Sequence, residues 1–241
     1  MSQPGRVAIV AAEGVMDLDE DGVHLFPALK RAGLATSVVS WRDRSVSWGD
    51  FELAVIRATW DYVAHYEEFC AWLERVEVHT TLLNPSRVVA WNTDKHYLAE
   101  LAEAGFEIVP TRFLEPGSAA PLDLGLDLDS GWDSCWEGPL VVKPAVSAGC
   151  HETARYEVAQ EAEARAHAQR LLGLGLSVMV QPYQSQVDAA GEAGLVFIES
   201  EFSHAFRKGP LLALERANQP EGHAMFRKES IDPLVPTRAR R

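Results

Sequence analysis

PLVVKPAVSAGCHETARY, residues 139–156, decides how the second half of this chain folds. Leu140, Val141 and Val142 form an apolar, largely β-branched run that reads as a buried strand. The strand carries Lys143 to its end, and Pro144, which has no N–H, is expected to stop the ladder there. Small residues follow: Ala145, Ser147, Ala148, Gly149 and Cys150. Such a loop can approach a polyanion closely, with its backbone N–H groups and the Ser147 hydroxyl free to donate. Chain direction resumes over residues 153–158. A strand-end lysine beside a small-residue loop suits a phosphate chain. The same residues also fit a strand, a surface lysine and a hairpin turn, since no Walker or Rossmann fingerprint is present.

Towards the C-terminus, residues 159–172 read as a helix, 176–183 (LSVMVQPY) as a strand ending at Pro182, and 194–206 as one further strand running into Arg207 and Lys208. Helices among antiparallel strands make this half α+β. Towards the N-terminus, residues 115–138 are rich in Gly, Pro, Ser and Asp and read as a loop or covering insertion. Asp123, Asp127 and Asp129 lack the spacing and the bidentate glutamate of a calcium loop. Before it, Asn92 or Thr93 can cap a helix carrying Tyr97, Leu98 and Leu101, with Lys95 in its first turn. A cation there opposes the helix dipole, which hints at a ligand; a solvated lysine is the plainer reading. Gly105 ends that helix and a strand is expected over 106–109.

The first part alternates in a different way. Strands are expected over 6–12, 35–41 and 51–58, helices over 23–32 and 62–76, and a short final strand over 82–85. That order predicts a small open α/β domain with a mostly parallel sheet. Asp17, Asp19, Glu20 and Asp21 precede the first helix, where its dipole favours acids. Arg57, Thr59, Asp61 and Tyr62 follow the third strand, and ligands of open α/β sheets bind beyond the carboxyl ends of strands. Arg57 could hold a substrate carboxylate bidentately, or pair structurally with Asp61.

Composition narrows the classes. The chain has 241 residues, enough for one large domain or two small ones, and a hydrophobic content of 47% supplies a core. The formal charge is −13, which argues against a general binder of nucleic acid or anionic membrane, so an anionic ligand needs a local positive site. No apolar run reaches the ~18 residues of a membrane span. The N-terminal run reads as a strand rather than a signal peptide. Cys70, Cys135 and Cys150 have no metal spacing, and a reduced, cytoplasmic protein is expected.

Seven segments occur together in one order: VIRATWDYVAHY (55–66), LLNPSRVVAWNTDKHYL (82–98), AGFEIVPT (104–111), residues 139–156, VMVQPYQSQV (178–187), GEAGLVFIESEFSHAFRKGP (191–210) and MFRKESIDPLVPT (225–237). With these the chain resembles the ATP-grasp superfamily, and within it the glutathione synthetase-like, RimK-type and D-cycloserine synthetase-like proteins. The resemblance implies a preATP-grasp α/β domain over residues 1–86 on the substrate side. An ATP-grasp domain over 87–241 would follow, with a lid at about 112–180 and a core antiparallel sheet. By the same resemblance Lys95 and Lys143 hold the ATP phosphates, and Ser147, Ala148 and Gly149 form the loop that closes on them. Gln181, Pro182, Tyr183 and Gln184 present backbone groups to the adenine edge, and Glu192 meets the ribose. Arg207 and Lys208 face the γ-phosphate or substrate as catalytic groups, and Arg57, Thr59, Asp61 and Tyr62 bind substrate.

The implied chemistry is ATP-dependent ligation of a small amino-acid or peptide-like carboxylate to an amine or thiol through an acylphosphate. ATP and Mg²⁺ are the cofactors; no nucleic-acid or membrane partner is implied, and a homo-oligomer is allowed. One departure stands out. Family members carry acidic Mg²⁺ ligands after a segment like residues 231–237, whereas no acid lies beyond Asp232 here. The core sheet is therefore expected to be truncated and the ATP-grasp domain incomplete, with no metal ligand assigned. A non-catalytic adenine-nucleotide-binding protein and a plain α/β interaction domain with solvated lysines are the alternative readings.

Overall fold

An apolar strand with no polar alternation has no wet side and must be covered on both faces. β1 (Arg6–Ala11) is such a strand, with Val7, Ala8, Ile9, Val10 and Ala11 all buried. It pairs in parallel with β2 (Ala35–Ser40) on one side and β3 (Leu53–Ala58) on the other, and β4 (Thr81–Leu83) adds in parallel beyond β3. The sheet order is β2-β1-β3-β4. In this computed structural model residues 5–15, 19, 21–118, 138–210, 212 and the backbone of 232–234 are described. The chain divides into two compact units, Met1–Tyr97 and Leu98–Arg241.

In the first unit α1 (Gly22–Arg31) joins β1 to β2 and keeps Pro27 inside it. α2 (Tyr66–Glu77) joins β3 to β4. Phe69, Trp72, Leu73 and Val76 recur at helical spacing on α2 and are buried against Ala8, Val10, Trp41, Trp48, Phe51, Ala54 and Leu82. Aromatic rings make up much of that core. Phe69 stacks on Trp72 at 5.5 Å, while Trp41 meets Phe69 edge-on at 5.2 Å and Trp48 meets Trp72 edge-on at 5.5 Å.

The helix expected over 62–76 has a tighter beginning. Residues Trp60–His65 form a 3₁₀ turn, because the Tyr62 N–H closes on the Thr59 carbonyl three residues back and Asp61 accepts from the Trp41 indole at 2.7 Å. Asn92 and Thr93 do not cap the next helix. They end α3 (Ser86–Thr93), whose Val89 and Ala90 pack on the tryptophan core, and α4 (Tyr97–Glu103) starts afresh. Lys95 consequently lies in the break before α4 rather than in its first turn.

The second unit has an antiparallel sheet of order β5-β8-β6-β7, from β5 (Arg112–Leu114), β6 (Leu140–Pro144), β7 (Ala154–Tyr156) and β8 (Val178–Pro182). α5 (Glu161–Gly173) buries Ala164, Ala168 and Leu171 against Leu140, Val142, Val178 and Val180. The strand expected over 106–109 is absent. Gly105, at φ 85°, reverses the chain after α4, the Phe106 N–H caps the Leu101 carbonyl, and pairing begins only when Arg112 comes opposite Val180.

Pro144 does not stop the ladder either. It sits opposite Val178, and the Ala145 N–H carries on to the Ser177 carbonyl at 2.8 Å. The single strand expected over 194–206 is a hairpin of β9 (Glu192–Ile198) and β10 (Glu201–Lys208), with β11 (Asp232–Leu234) on the far side of β10. Glu199 and Ser200 both have positive φ at its tip, the backbone of a tight two-residue turn. A short helix, α6 (Gln186–Ala190), precedes β9.

Among the described residues no helix is long and apolar enough to cross a membrane, and Cys70 and Cys150 are free thiols. Asp17, Glu20, Asp123, Asp127, Asp129, Cys135 and residues 235–241 lie outside the described residues. Trp72 is wholly buried at the centre of the aromatic core. Trp72→Ala should therefore cost the first unit about 3–5 kcal/mol, read as a lower urea midpoint by far-UV circular dichroism.

Candidate functional site

Lys143 lies near the end of β6, itself half-buried between Val142 and Pro144, which are buried. Its ammonium makes no hydrogen bond or ion pair among the described residues. Burial holds its pKa below the ordinary lysine value, and electrostatic interactions with Cys150 and Glu192 offset this only in part. A half-buried cation with no directly bonded acid is costly to keep, and such groups concentrate where a ligand supplies the missing charge.

The loop after Pro144 complements it. Gly149 and Cys150 are both left-handed, at φ 60° and 61°. The backbone N–H groups of Ala148, Gly149 and Cys150 meet no acceptor among the described residues, whereas His151 and Thr153 bond back to the Ala148 and Cys150 carbonyls. Successive unpaired N–H groups in such a turn form an anion-binding nest. Ser147 is placed differently from its expected role as a free donor: its hydroxyl donates to the His151 carbonyl at 2.9 Å and so shapes the loop. Cys150 lies within electrostatic reach of Lys143, Glu192 and Lys208, and burial pushes its thiol pKa up.

Glu192 and Lys208 are register partners at the open end of the β9–β10 hairpin, with Arg207 opposite Ala193. Gly191 makes that end possible. At φ 69° a Cβ there would lie 2.4 Å from the Lys208 carbonyl oxygen and 3.2 Å from Arg207 Cγ. The structure thus gathers Lys143, the 147–150 loop, Glu192 and Lys208 around one small region of the second unit.

Residues 181–184 are braced rather than loose. Gln181 donates to Thr111 Oγ1 at 2.7 Å, the Tyr183 N–H donates to the Pro139 carbonyl at 2.8 Å, and the Gln184 amide reaches the Pro182 carbonyl at 3.4 Å. Arg155 lies 3.9 Å over the Tyr183 ring and pairs with Glu157 and Asp188, and the Tyr183 hydroxyl donates to Asp188. Arg155 escaped the sequence reading, since nothing local in ARY marks a residue that will meet a tyrosine just beyond β8.

Lys95 belongs to the first unit. There Arg57 makes no pair with Asp61. Its Nε and Nη2 donate to the two carboxylate oxygens of Asp19 at 2.6 and 2.7 Å, and Nη2 also meets Asp21. These bonds raise the Arg57 pKa above its ordinary value, against the opposing effect of burial. Asp19 and Asp21 therefore serve Arg57, and the Asp21 side chain does not cap α1. Thr59 is buried, Asp61 is committed to Trp41, and the Tyr62 ring packs 5.3 Å from Phe69, its pKa raised by burial. The signal for Arg57–Asp19 was invisible locally because 38 residues separate the partners.

Comparison with known proteins bears on both units. Residues 7–84 match the family described as "D-cycloserine synthetase DcsG, N-terminal domain". The "Cycloserine biosynthesis protein DcsG" of Streptomyces lavendulae is 36% identical over 208 residues, which span 86% of this chain and 69% of that protein. The crystal structure of D-cycloserine synthetase DcsG superposes with a TM-score of 0.78 at 34% identity, covering 88% of this chain and 70% of the other. The RimK domain ATP-grasp protein from Sphaerobacter thermophilus DSM 20745 shares the fold, with a TM-score of 0.61 at 19% identity over 85% of this chain and 73% of that one.

Two expectations follow. Asp19 has a side chain only 7% exposed, and that of Asp21 is 74% exposed. Arg57→Ala, which leaves the Asp19 carboxylate buried and alone, should cost about 3 kcal/mol or more. Asp21→Asn should cost less than about 1 kcal/mol. Urea titrations of the two variants check the contrast. At Lys143 the sign is set by desolvation: the folded pKa lies below the unfolded one, so the charged form penalises folding at neutral pH, and stability recovers as pH rises between the two values. Lys143→Met should accordingly raise the melting temperature at neutral pH, with the gain shrinking towards alkaline pH in differential scanning calorimetry.

Proposed function

The chain belongs to the ATP-grasp family of the D-cycloserine synthetase DcsG, and from that premise we propose that it is an ATP-dependent ligase acting on an amino-acid carboxylate. The observation that carries the proposal is Lys143, a half-buried ammonium that makes no hydrogen bond or ion pair among the described residues, beside three loop N–H groups that meet no acceptor among them. A phosphate chain would supply the missing charge and acceptors together.

In this reading residues 1–86 are the substrate-side domain and 87–241 the nucleotide-binding one. Lys143 and Lys95 neutralise phosphate oxygens as point charges. Ser147, Ala148 and Gly149 enclose them, with the Ser147–His151 bond holding the loop shape. Residues 181–184 take the adenine edge, stiffened by the contact between Arg155 and Tyr183, and Glu192 accepts from the ribose hydroxyls. Lys208 and Arg207 offset charge that builds up as the γ-phosphoryl group passes to the substrate carboxylate, giving an acylphosphate and ADP. An amine or thiol then attacks the acyl carbon and phosphate leaves. Arg57, Thr59, Asp61 and Tyr62 form the substrate side, where the Asp19–Arg57 pair holds the guanidinium in one orientation. Catalysis of this kind is positioning and charge neutralisation.

ATP fits the residues present. Mg²⁺ is expected with it, but among the described residues there is no group of three or more His, Cys, Asp or Glu side chains able to hold a metal. A cytoplasmic location accords with this chemistry.

The test is coupled ADP release by the purified chain with ATP, Mg²⁺ and a panel of D- and L-amino acids. Release that depends on one substrate, and falls at least tenfold in Lys143→Ala, is the expected result. ATP affinity unchanged by Lys143→Ala in calorimetric titration would remove that residue from the site. Nucleotide binding without turnover on any substrate would leave a binding protein in place of a ligase.

A further inference from the structure

Tyr183 is held at three points. Its N–H donates to the Pro139 carbonyl at 2.8 Å, its hydroxyl donates to Asp188 of α6, and its ring lies 3.9 Å under the Arg155 guanidinium. Gln184 is held on its far side, where its carbonyl accepts from the Val187 N–H at 3.0 Å. The peptide group between the two residues is different. Among the described residues the Tyr183 carbonyl accepts no hydrogen bond and the Gln184 N–H donates none. Gln184 is exposed, so both groups are left to water or to a ligand.

Arg155 fixes how that peptide is turned. Its side chain is only 9% exposed; Nη1 donates to Asp188 at 3.2 Å and Nη2 lies 3.0 Å from Glu157. Its Nε is buried and has no partner among the described residues. A guanidinium so enclosed, with one donor unused, is a poor source of stability, because apolar groups of similar volume often replace buried ion pairs at no loss. What it supplies is geometry. A rigid planar fork tied to Asp188 and Glu157 can lie over Tyr183 in only a narrow range of orientations. It therefore joins β7, the segment after β8 and α6 through one side chain.

We propose that Arg155 is a positioning residue for the nucleobase: through the Tyr183 ring it sets the orientation of the Tyr183–Gln184 peptide. This rests on the assignment of residues 181–184 to the adenine edge made above. A carbonyl held in place accepts from the exocyclic amino group of adenine and rejects a base that presents a carbonyl there, since two acceptors are then left facing each other. Arg155 acts only through Tyr183 and Asp188. Loosening it loses discrimination between bases, while the sugar and phosphate contacts stay.

The experiment compares ATP with inosine triphosphate, which has the same sugar and phosphates but a carbonyl in place of the amino group. Each is titrated calorimetrically into the whole chain. The unsubstituted chain should prefer ATP by about tenfold or more. Arg155→Met keeps the length of the side chain without its plane or charge, and should cut that preference by about fivefold or more, mainly by weakening ATP. Arg155→Lys, which keeps the charge but not the fork, and Tyr183→Phe, which removes only the bond to Asp188, should cut it less. A merely structural role would weaken both nucleotides alike. A preference unchanged in Arg155→Met and Arg155→Lys would therefore overturn the proposal, whatever the melting temperatures. Should circular dichroism show Arg155→Met unfolded, Arg155→Lys and Tyr183→Phe decide in the same way. An unsubstituted chain that binds the two nucleotides equally would also overturn it and leave the phosphate assignment of Lys143 standing. A chain that binds neither would instead overturn the nucleotide reading itself, and this proposal with it.

Discussion

In the second unit the antiparallel pairing of β6 with β8 sets Leu140 opposite Pro182 and Pro144 opposite Val178. This one register positions both ends of the candidate site. At one end it leaves Lys143 next to the turn into the small-residue loop. At the other it ties Tyr183 to Pro139 and so fixes the segment that follows β8. The same pairing gives α5 a flat apolar surface of Leu140, Val142, Val178 and Val180. A slip of one residue would turn Val142 outward and Lys143 into the face that α5 covers. The burial of α5 and the placing of the lysine are therefore one constraint.

That constraint carries a standing cost. Burial disfavours the charged form of Lys143, and its neighbours Cys150 and Glu192 relieve the penalty only in part. A ligand that brings negative charge would recover the loss on binding. Arg57 shows the opposite arrangement. Its guanidinium is satisfied within the chain by Asp19, and little about it waits for a ligand. The two basic residues on which the functional reading first rests are thus in contrasting electrostatic states.

The first unit owes its coherence to aromatic packing. Trp41, Trp48, Phe69 and Trp72 interlock under the parallel sheet, and the Trp41 indole reaches out of that cluster to hold Asp61. Asp61 in turn shapes the 3₁₀ turn that begins the chain's run into α2. A residue expected to meet substrate is in this way also a structural anchor, so stability and activity must be measured together in any variant of it.

Sequence alone determined the four parallel strands of the first unit and the helices α1 and α2, since continuous apolar runs and helical spacing are local patterns, but it missed α3. It also placed Lys143 near a strand end before a small-residue loop, because a β-branched run ending in lysine and then small residues is written in consecutive letters. It misread Glu199–Ser200, where two positive-φ residues make a hairpin tip without the glycine or asparagine that normally signals one. It misread residues 106–109, whose β-like composition has no strand to pair with. Only the tertiary structure decided that Asp19 holds Arg57 and that Arg155 lies on Tyr183. Those meetings join residues roughly 30 or more apart in sequence, and chain periodicity carries no information about which distant side chains the folded backbone brings into reach.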